Sequence, residues 1–204
     1  MSDIIDEGFQ YKVYDLGDKV RKVPKTREEM VEYSKSWGSS EEKARKDTEK
    51  GIERRKEIQQ RLRDSTYRIL ADFEFVGEVI VQEKVKVTKE VLDEAEKIEE
   101  KKEVIQSYIN LVKQRWRNGF HDMSYNFTVN TGFDSENRMV HIDLGDLIFD
   151  FDRVRKEVED RKWVEESWSY QKHLEGELAD YYISRMKEAI TVEKLDEIWN
   201  KSSQ

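Results

Sequence analysis

No cysteine occurs in the 204 residues, and Pro24 is the only proline. The missing thiols exclude a disulfide framework and every cysteine-ligated zinc or iron–sulfur site. No apolar run approaches the roughly 20 residues that span a bilayer, and the stretch MSDIIDEGF is not expected to act as a signal peptide. A cytoplasmic protein with no membrane partner is expected. Positive net charge is also absent. At −8 a general attraction for nucleic acid is disfavoured, which leaves only local basic patches for such a partner. What remains is 40% charged, 36% hydrophobic and 11% aromatic, with five tryptophans. That aromatic content argues for a packed core despite the low mean hydropathy, and the length suits one domain or two small lobes.

Several familiar sites are missing as well. There is no Gly-Lys-Ser/Thr phosphate loop and no G-x-S-x-G elbow. The three histidines, His121, His141 and His173, form no H-E-x-x-H pair, and Asp134, Glu136 and Asn137 lack the spacing and glycine of an EF-hand.

The first quarter alternates polar and apolar residues over 10–14 and again over 19–23, on either side of Leu16-Gly17-Asp18. This predicts a hairpin. Residues 41–63 follow Ser39 and Ser40, which are plausible N-caps, and predict a helix with a thin apolar stripe. Lys and Arg outnumber Asp and Glu there by nine to six. A solvated helix laced with i,i+4 pairs is the plainer reading, and a basic ligand-facing surface the bolder one. Strands are expected over 66–70 and, more strongly, over 75–87. A long helix is expected from about 89 to 118, stopped by Gly119, with its charged stretch at 99–103 marking a break. Short strands are expected at 127–129 and 139–142. The last 50 residues read as helix, with Trp163, Trp168, Leu174, Leu178, Tyr181, Tyr182, Ile183 and Met186 in the core. The plan is α+β and bilobal: a β-rich N-terminal lobe with one charged helix over 1–84, and a mostly helical C-terminal lobe over 85–204.

One constellation carries chemistry. Asp122 and Asn126 follow a helix, and Asp143 ends a short strand some 20 residues on. Pairing of the two short strands brings these residues to one end of a small hairpin. Two carboxylates and an amide oxygen are hard ligands suited to Mg²⁺, with phosphate completing the shell.

These residues resemble a known superfamily. Phe120-His121-Asp122-Met123-Ser124-Tyr125-Asn126-Phe127 looks like the catalytic loop of the protein-kinase-like superfamily, and His141-Ile142-Asp143-Leu144-Gly145 like its metal-binding DFG segment. Lys19-Val20-Arg21-Lys22-Val23-Pro24 is similar to the strand bearing the phosphate-pairing lysine. Val79-Ile80-Val81-Gln82-Glu83-Lys84-Val85 resembles the hinge. The resemblance implies a protein-kinase-like bilobal fold with a small antiparallel sheet lobe and a reduced helical C-terminal lobe. It further implies an ATP- and Mg-dependent phosphotransferase of unknown acceptor, protein or small molecule. Lys22 would hold the phosphates, with Glu49 or Glu53 as its carboxylate partner. Gln82 would be the gatekeeper, and the main-chain groups of Glu83 and Val85 would meet adenine. Asn126 and Asp143 would bind metal, and Asp122 would orient the acceptor and take its proton.

Departures accompany the match. Asn126 stands four residues after Asp122 where the pattern has five, there is no G-x-G-x-x-G loop, and no A-P-E segment follows Asp143. The match is therefore better to compact atypical or small-molecule kinases. A second reading is a catalytically inactive pseudokinase that binds a nucleotide or a protein. A third is a helical interaction protein unrelated to kinases.

Overall fold

The computed structural model describes residues 3–63, 65, 67–165 and 174–202. The described chain is α+β, with antiparallel sheets and nine helices among the described residues. It divides into two compact units, Met1–Lys84 and Val85–Gln204.

The first unit is a five-stranded antiparallel sheet with two helices. Strands β1 (Ile4–Glu7), β2 (Tyr11–Asp15) and β3 (Lys19–Pro24) form a meander. β4 (Phe73–Val76) and β5 (Val79–Glu83) complete the sheet in the order β1-β2-β3-β5-β4. The β2–β3 hairpin pairs Val13 with Lys22, and Gly17 supplies the left-handed turn residue at φ 93°. Lys22 lies opposite Ile80, which is 1% exposed, so the two side chains share one sheet face. Helix α1 (Arg27–Ser36) begins in a capping box made by Thr26 and Glu29. Helix α2 (Glu41–Leu62) starts at Ser40, whose hydroxyl accepts the Lys43 N–H, and buries Ala44, Thr48, Gly51, Ile58 and Leu62. Its charges meet one another: Lys43 with Asp47, Arg45 with Glu41, and Arg61 with Glu57. These are the i,i+4 pairs of a solvated helix.

The second unit is mainly helical. Short strand β6 (Lys86–Val87) leads into α3 (Thr88–Glu94) and then α4 (Ile98–Arg117). The expected single helix thus breaks at 95–97, where Ala95 and Lys97 are extended, rather than within 99–103. The charged stretch stays helical because acidic residues suit a helix N-terminus, and Lys102 pairs with Glu99. α4 inserts Ile105, Tyr108, Ile109, Val112 and Trp116 into the core, each fully buried. Gly119, at φ 74°, ends it.

Beyond it come β7 (His121–Asp122), the single turn α5 (Phe127–Asn130), β8 (Thr131–Phe133), β9 (Met139–His141) and β10 (Leu147–Ile148). Two further expectations are corrected. Residues 127–129 are helical, and the strand is Thr131–Phe133. Phe127 stacks on Tyr108 and Tyr182, with ring centroids 4.7 and 5.5 Å apart, and this packing overrides β propensity. The strand expected over 66–70 is a turn closed by the Leu70 N–H on the Tyr67 carbonyl, with Thr66 outside the described residues.

Helices α6 (Phe151–Glu159), α7 (Lys162–Glu165), α8 (Glu177–Ala189) and α9 (Val192–Ser202) close the unit. Trp163, Leu174, Leu178, Tyr182 and Met186 are buried, and Tyr181 and Ile183 pack half-buried against them. Trp168 and His173 lie outside the described residues.

Candidate functional site

Chain geometry brings two segments of the second unit together. β7 pairs antiparallel with β10, with Asp122 opposite Leu147, and the Met123 N–H reaches the Asp146 carbonyl at 3.0 Å. β8 pairs with β9, with Thr131 opposite His141, and the Ile142 N–H donates to the Asn130 carbonyl at 2.9 Å. The loop 122–130 is therefore held against the loop 142–147 on both sides.

Ser124 shapes the first loop. Its N–H and hydroxyl both donate to Asp122 Oδ1 at 3.1 Å. Its oxygen accepts Asn130 Nδ2–H at 2.7 Å and the Asn126 N–H at 3.3 Å. These contacts stabilise Tyr125 in a left-handed backbone conformation, φ 47°, which is unfavourable for a bulky residue. Asn126 is 7% exposed and accepts from the Thr128 hydroxyl.

Asp122 is 1% exposed. Its Oδ2 lies 3.8 Å from Arg115 Nη1 and 3.9 Å from His141 Nδ1, without a hydrogen-bond partner among the described residues. Burial pushes its carboxyl above the ordinary 3.8, against the pull of Arg115 and the Ser124 N–H, and Asp143 adds to the rise. Asp143 is half-buried, and its Oδ1 accepts the Gly145 N–H at 2.8 Å.

Both described histidines face a nitrogen donor with Nδ1. Trp116 Nε1–H donates to His121 Nδ1 at 3.2 Å. Arg115 Nη2 lies 3.1 Å from His141 Nδ1. Indole and guanidinium are donors only, so each Nδ1 accepts. Burial, helped by Arg115, drives the His121 pKa well below 6.5. His121 is thus a neutral structural group.

Among the described residues no three His, Cys, Asp or Glu side chains gather to hold a metal. The available donors are Asp143, one of whose oxygens is committed to Gly145, and the Asn126 amide oxygen. Two hard oxygens with phosphate and water completing the shell fit Mg²⁺, and do not fit zinc or a protein-only calcium cage.

In the first unit Lys22 sits half-buried at mid-strand. Glu49 is bound by Arg27, with Nη1 to Oε1 at 2.7 Å and Nη2 to Oε2 at 3.0 Å. Glu53 is exposed on α2. Gln82 is buried and donates to the Ala71 carbonyl, and the Glu83 N–H is taken by the Asp72 carbonyl at 2.7 Å. Val85 packs over Gly132, where an added Cβ would lie 2.5 Å from its Cγ2.

Sequence reasoning missed Arg115, which is fully buried. A signal was present: Val104, Tyr108, Leu111 and Arg115 follow one another at helical spacing, which puts the cation on a buried stripe.

No protein-family profile matches the sequence. No curated protein matches it either. Solved structures do. The backbone is similar to WbdD in complex with the kinase inhibitor LY294002, at 13% identity and a TM-score of 0.51, over 97% of this chain and 44% of that one. Monomeric WbdD matches at 14% identity and a TM-score of 0.51, over 94% and 45%. The chain thus spans less than half the length of the WbdD chains it resembles.

Proposed function

We propose that the chain is a phosphotransferase of protein-kinase-like bilobal fold, using ATP and Mg²⁺ on an acceptor not yet identified. The observation that carries this reading is the double clamp that holds the Asn126 loop against the Asp143 loop, in a backbone similar to a protein that binds a kinase inhibitor. In this reading Asn126 and Asp143 supply oxygen ligands to the metal, and Lys22 pairs with the phosphates. The metal, when bound, neutralises charge that develops on the transferred phosphoryl group.

Asp122 is given a holding role first. Its Oδ1 fixes Ser124, and its Oδ2 faces Arg115 and His141. Phosphoryl transfer depends chiefly on positioning and electrostatics and asks little of a base, so a buried carboxylate that sets the loop is consistent with catalysis. Glu53 is the freer of the two α2 carboxylates for Lys22, since Glu49 meets Arg27.

The test is calorimetric titration of ATP with and without Mg²⁺ on wild type, Lys22→Met and Asp143→Ala, followed by a γ-phosphate-release assay. Metal-dependent binding lost in both variants, with release in the wild type, is expected. Binding without release would give the pseudokinase. Absence of binding in every condition would leave an interaction module.

A further inference from the structure

Arg115 belongs to α4, yet its side chain reaches both loops of the candidate site. Nη1 faces Asp122 Oδ2 at 3.8 Å, and Nη2 reaches His141 Nδ1 at 3.1 Å. Asp122 lies four residues before Asn126, and His141 two before Asp143. The main chain of Arg115 contributes too, since its carbonyl accepts the N–H groups of Asn118 and Phe120, at 3.0 and 3.1 Å, in the turn that leads into β7. Its guanidinium lies 5.7 Å from the Tyr108 ring centroid on the same helix face. The side chain is fully enclosed, and Nε and Nη1 have no hydrogen-bond partner among the described residues. A buried cation held this way costs stability unless its two contacts offset the desolvation, which argues that what it holds matters.

We propose that Arg115 is a positioning residue, a two-pronged tie that fixes the Asp122 strand against the His141 strand and so sets the separation of Asn126 and Asp143. The inference rests on the phosphotransferase reading and adds to it a residue outside both motif segments. A lysine keeps the charge but presents one nitrogen in place of a fork, so it cannot hold both strands at once.

The experiment titrates ATP with and without Mg²⁺ into wild type, Arg115→Lys and the doubly neutral Arg115→Met/Asp122→Asn, which keeps the side-chain oxygen that accepts from Ser124 and leaves no buried charge unpaired if the single change disrupts folding. The scored quantity is the ratio of affinities with and without the metal, because a merely structural role weakens both alike. The expected result is a fall of about tenfold or more in that ratio in both variants, with metal-free ATP affinity within twofold of wild type. A ratio unchanged within twofold in Arg115→Lys or in the double variant overturns the inference alone. A wild type whose ATP binding ignores Mg²⁺ overturns the function reading, and this inference with it.

Discussion

Each unit contains an arginine–carboxylate pair, and the two are opposites. Arg27 and Glu49 make a bidentate contact at 2.7 and 3.0 Å, with their side chains 57% and 48% exposed. Arg115 and Asp122 stand 3.8 Å apart at 0% and 1% exposure. The better geometry belongs to the pair that matters less. Water screens the first and competes for both partners, so its contribution falls in the range of about 0–1 kcal/mol. The second pair has no water to fall back on, and losing one partner strands the other. The first unit pairs its α2 charges at the surface and buries one cation, Lys25, against Glu7 and the Tyr33 ring, whereas the second brings an arginine, an aspartate and two histidines inside beside two loops.

The sharpest way to break the contrast is to remove Asp122. Asp122→Leu leaves the Arg115 guanidinium buried beside an apolar side chain, and a loss of about 3–5 kcal/mol is expected in urea unfolding. A loss below about 1 kcal/mol would show that Arg115 escapes to solvent and that the interior pair is not a constraint.

Glycines offer the next comparison. In the second unit an added Cβ on Gly132 would lie 2.7 Å from the Lys86 carbonyl oxygen and 2.5 Å from Val85 Cγ2. The β6–β8 pair must part to make room, so Gly132→Ala should cost about 1–3 kcal/mol. In the first unit a Cβ on Gly51 would lie 2.9 Å from Met30 Cε and 3.0 Å from Phe9 Cε1. A methionine end can rotate away, and alanine gains roughly 1 kcal/mol of helix propensity, so Gly51→Ala should be near neutral. Thermal melts of the two variants side by side decide the point.

How much of this was legible beforehand depended on where each determinant lies. The β2–β3 hairpin and α2 were readable because alternation, the Gly17 turn and the Ser40 cap are local. The apolar positions of α4 were readable for the same reason. The single turn at Phe127 was not, because its cause is stacking on Tyr108 and Tyr182 from distant parts of the chain. In the candidate site, Asp122, Asn126 and Asp143 were singled out by the resemblance of their two segments to a kinase-like pattern. Arg115 did not, since a cation on a helix reads as solvated until its neighbours on the stripe are seen to be buried. Ser124 was equally hidden, being a common loop residue whose importance lies in three partners.

Acid separates the units in another way. All three histidines lie beyond Lys84. His121 is held neutral in the fold, with its pKa well below 6.5, while the unfolded chain takes up a proton near 6.5. The unfolded state therefore binds more protons as pH falls through 6.5, and stability present above that pH is lost below it. One proton corresponds to a slope of about 1.4 kcal/mol per pH unit. His121→Gln should flatten the stability curve between about pH 6.5 and 5 by that one proton. An unchanged slope would mean that His121 takes up its proton in the folded state as readily as in the unfolded chain.

The smallest effect expected is on the exposed pair. Glu49→Gln removes the charge that Arg27 meets, and should cost under about 1 kcal/mol, shrinking further as salt is raised. Its informative readout is nucleotide affinity. If Glu53 serves Lys22, Glu49→Gln leaves ATP binding unchanged while Glu53→Gln weakens it at constant melting temperature. If Glu49 leaves Arg27 to serve Lys22 when nucleotide binds, the order reverses, and the surface pair of the first unit becomes a resting contact that is exchanged on binding. Titration of both variants at one salt concentration distinguishes the two, because screening acts on every exposed pair, ATP's own included, and only the carboxylate that serves Lys22 weakens binding when it is neutralised.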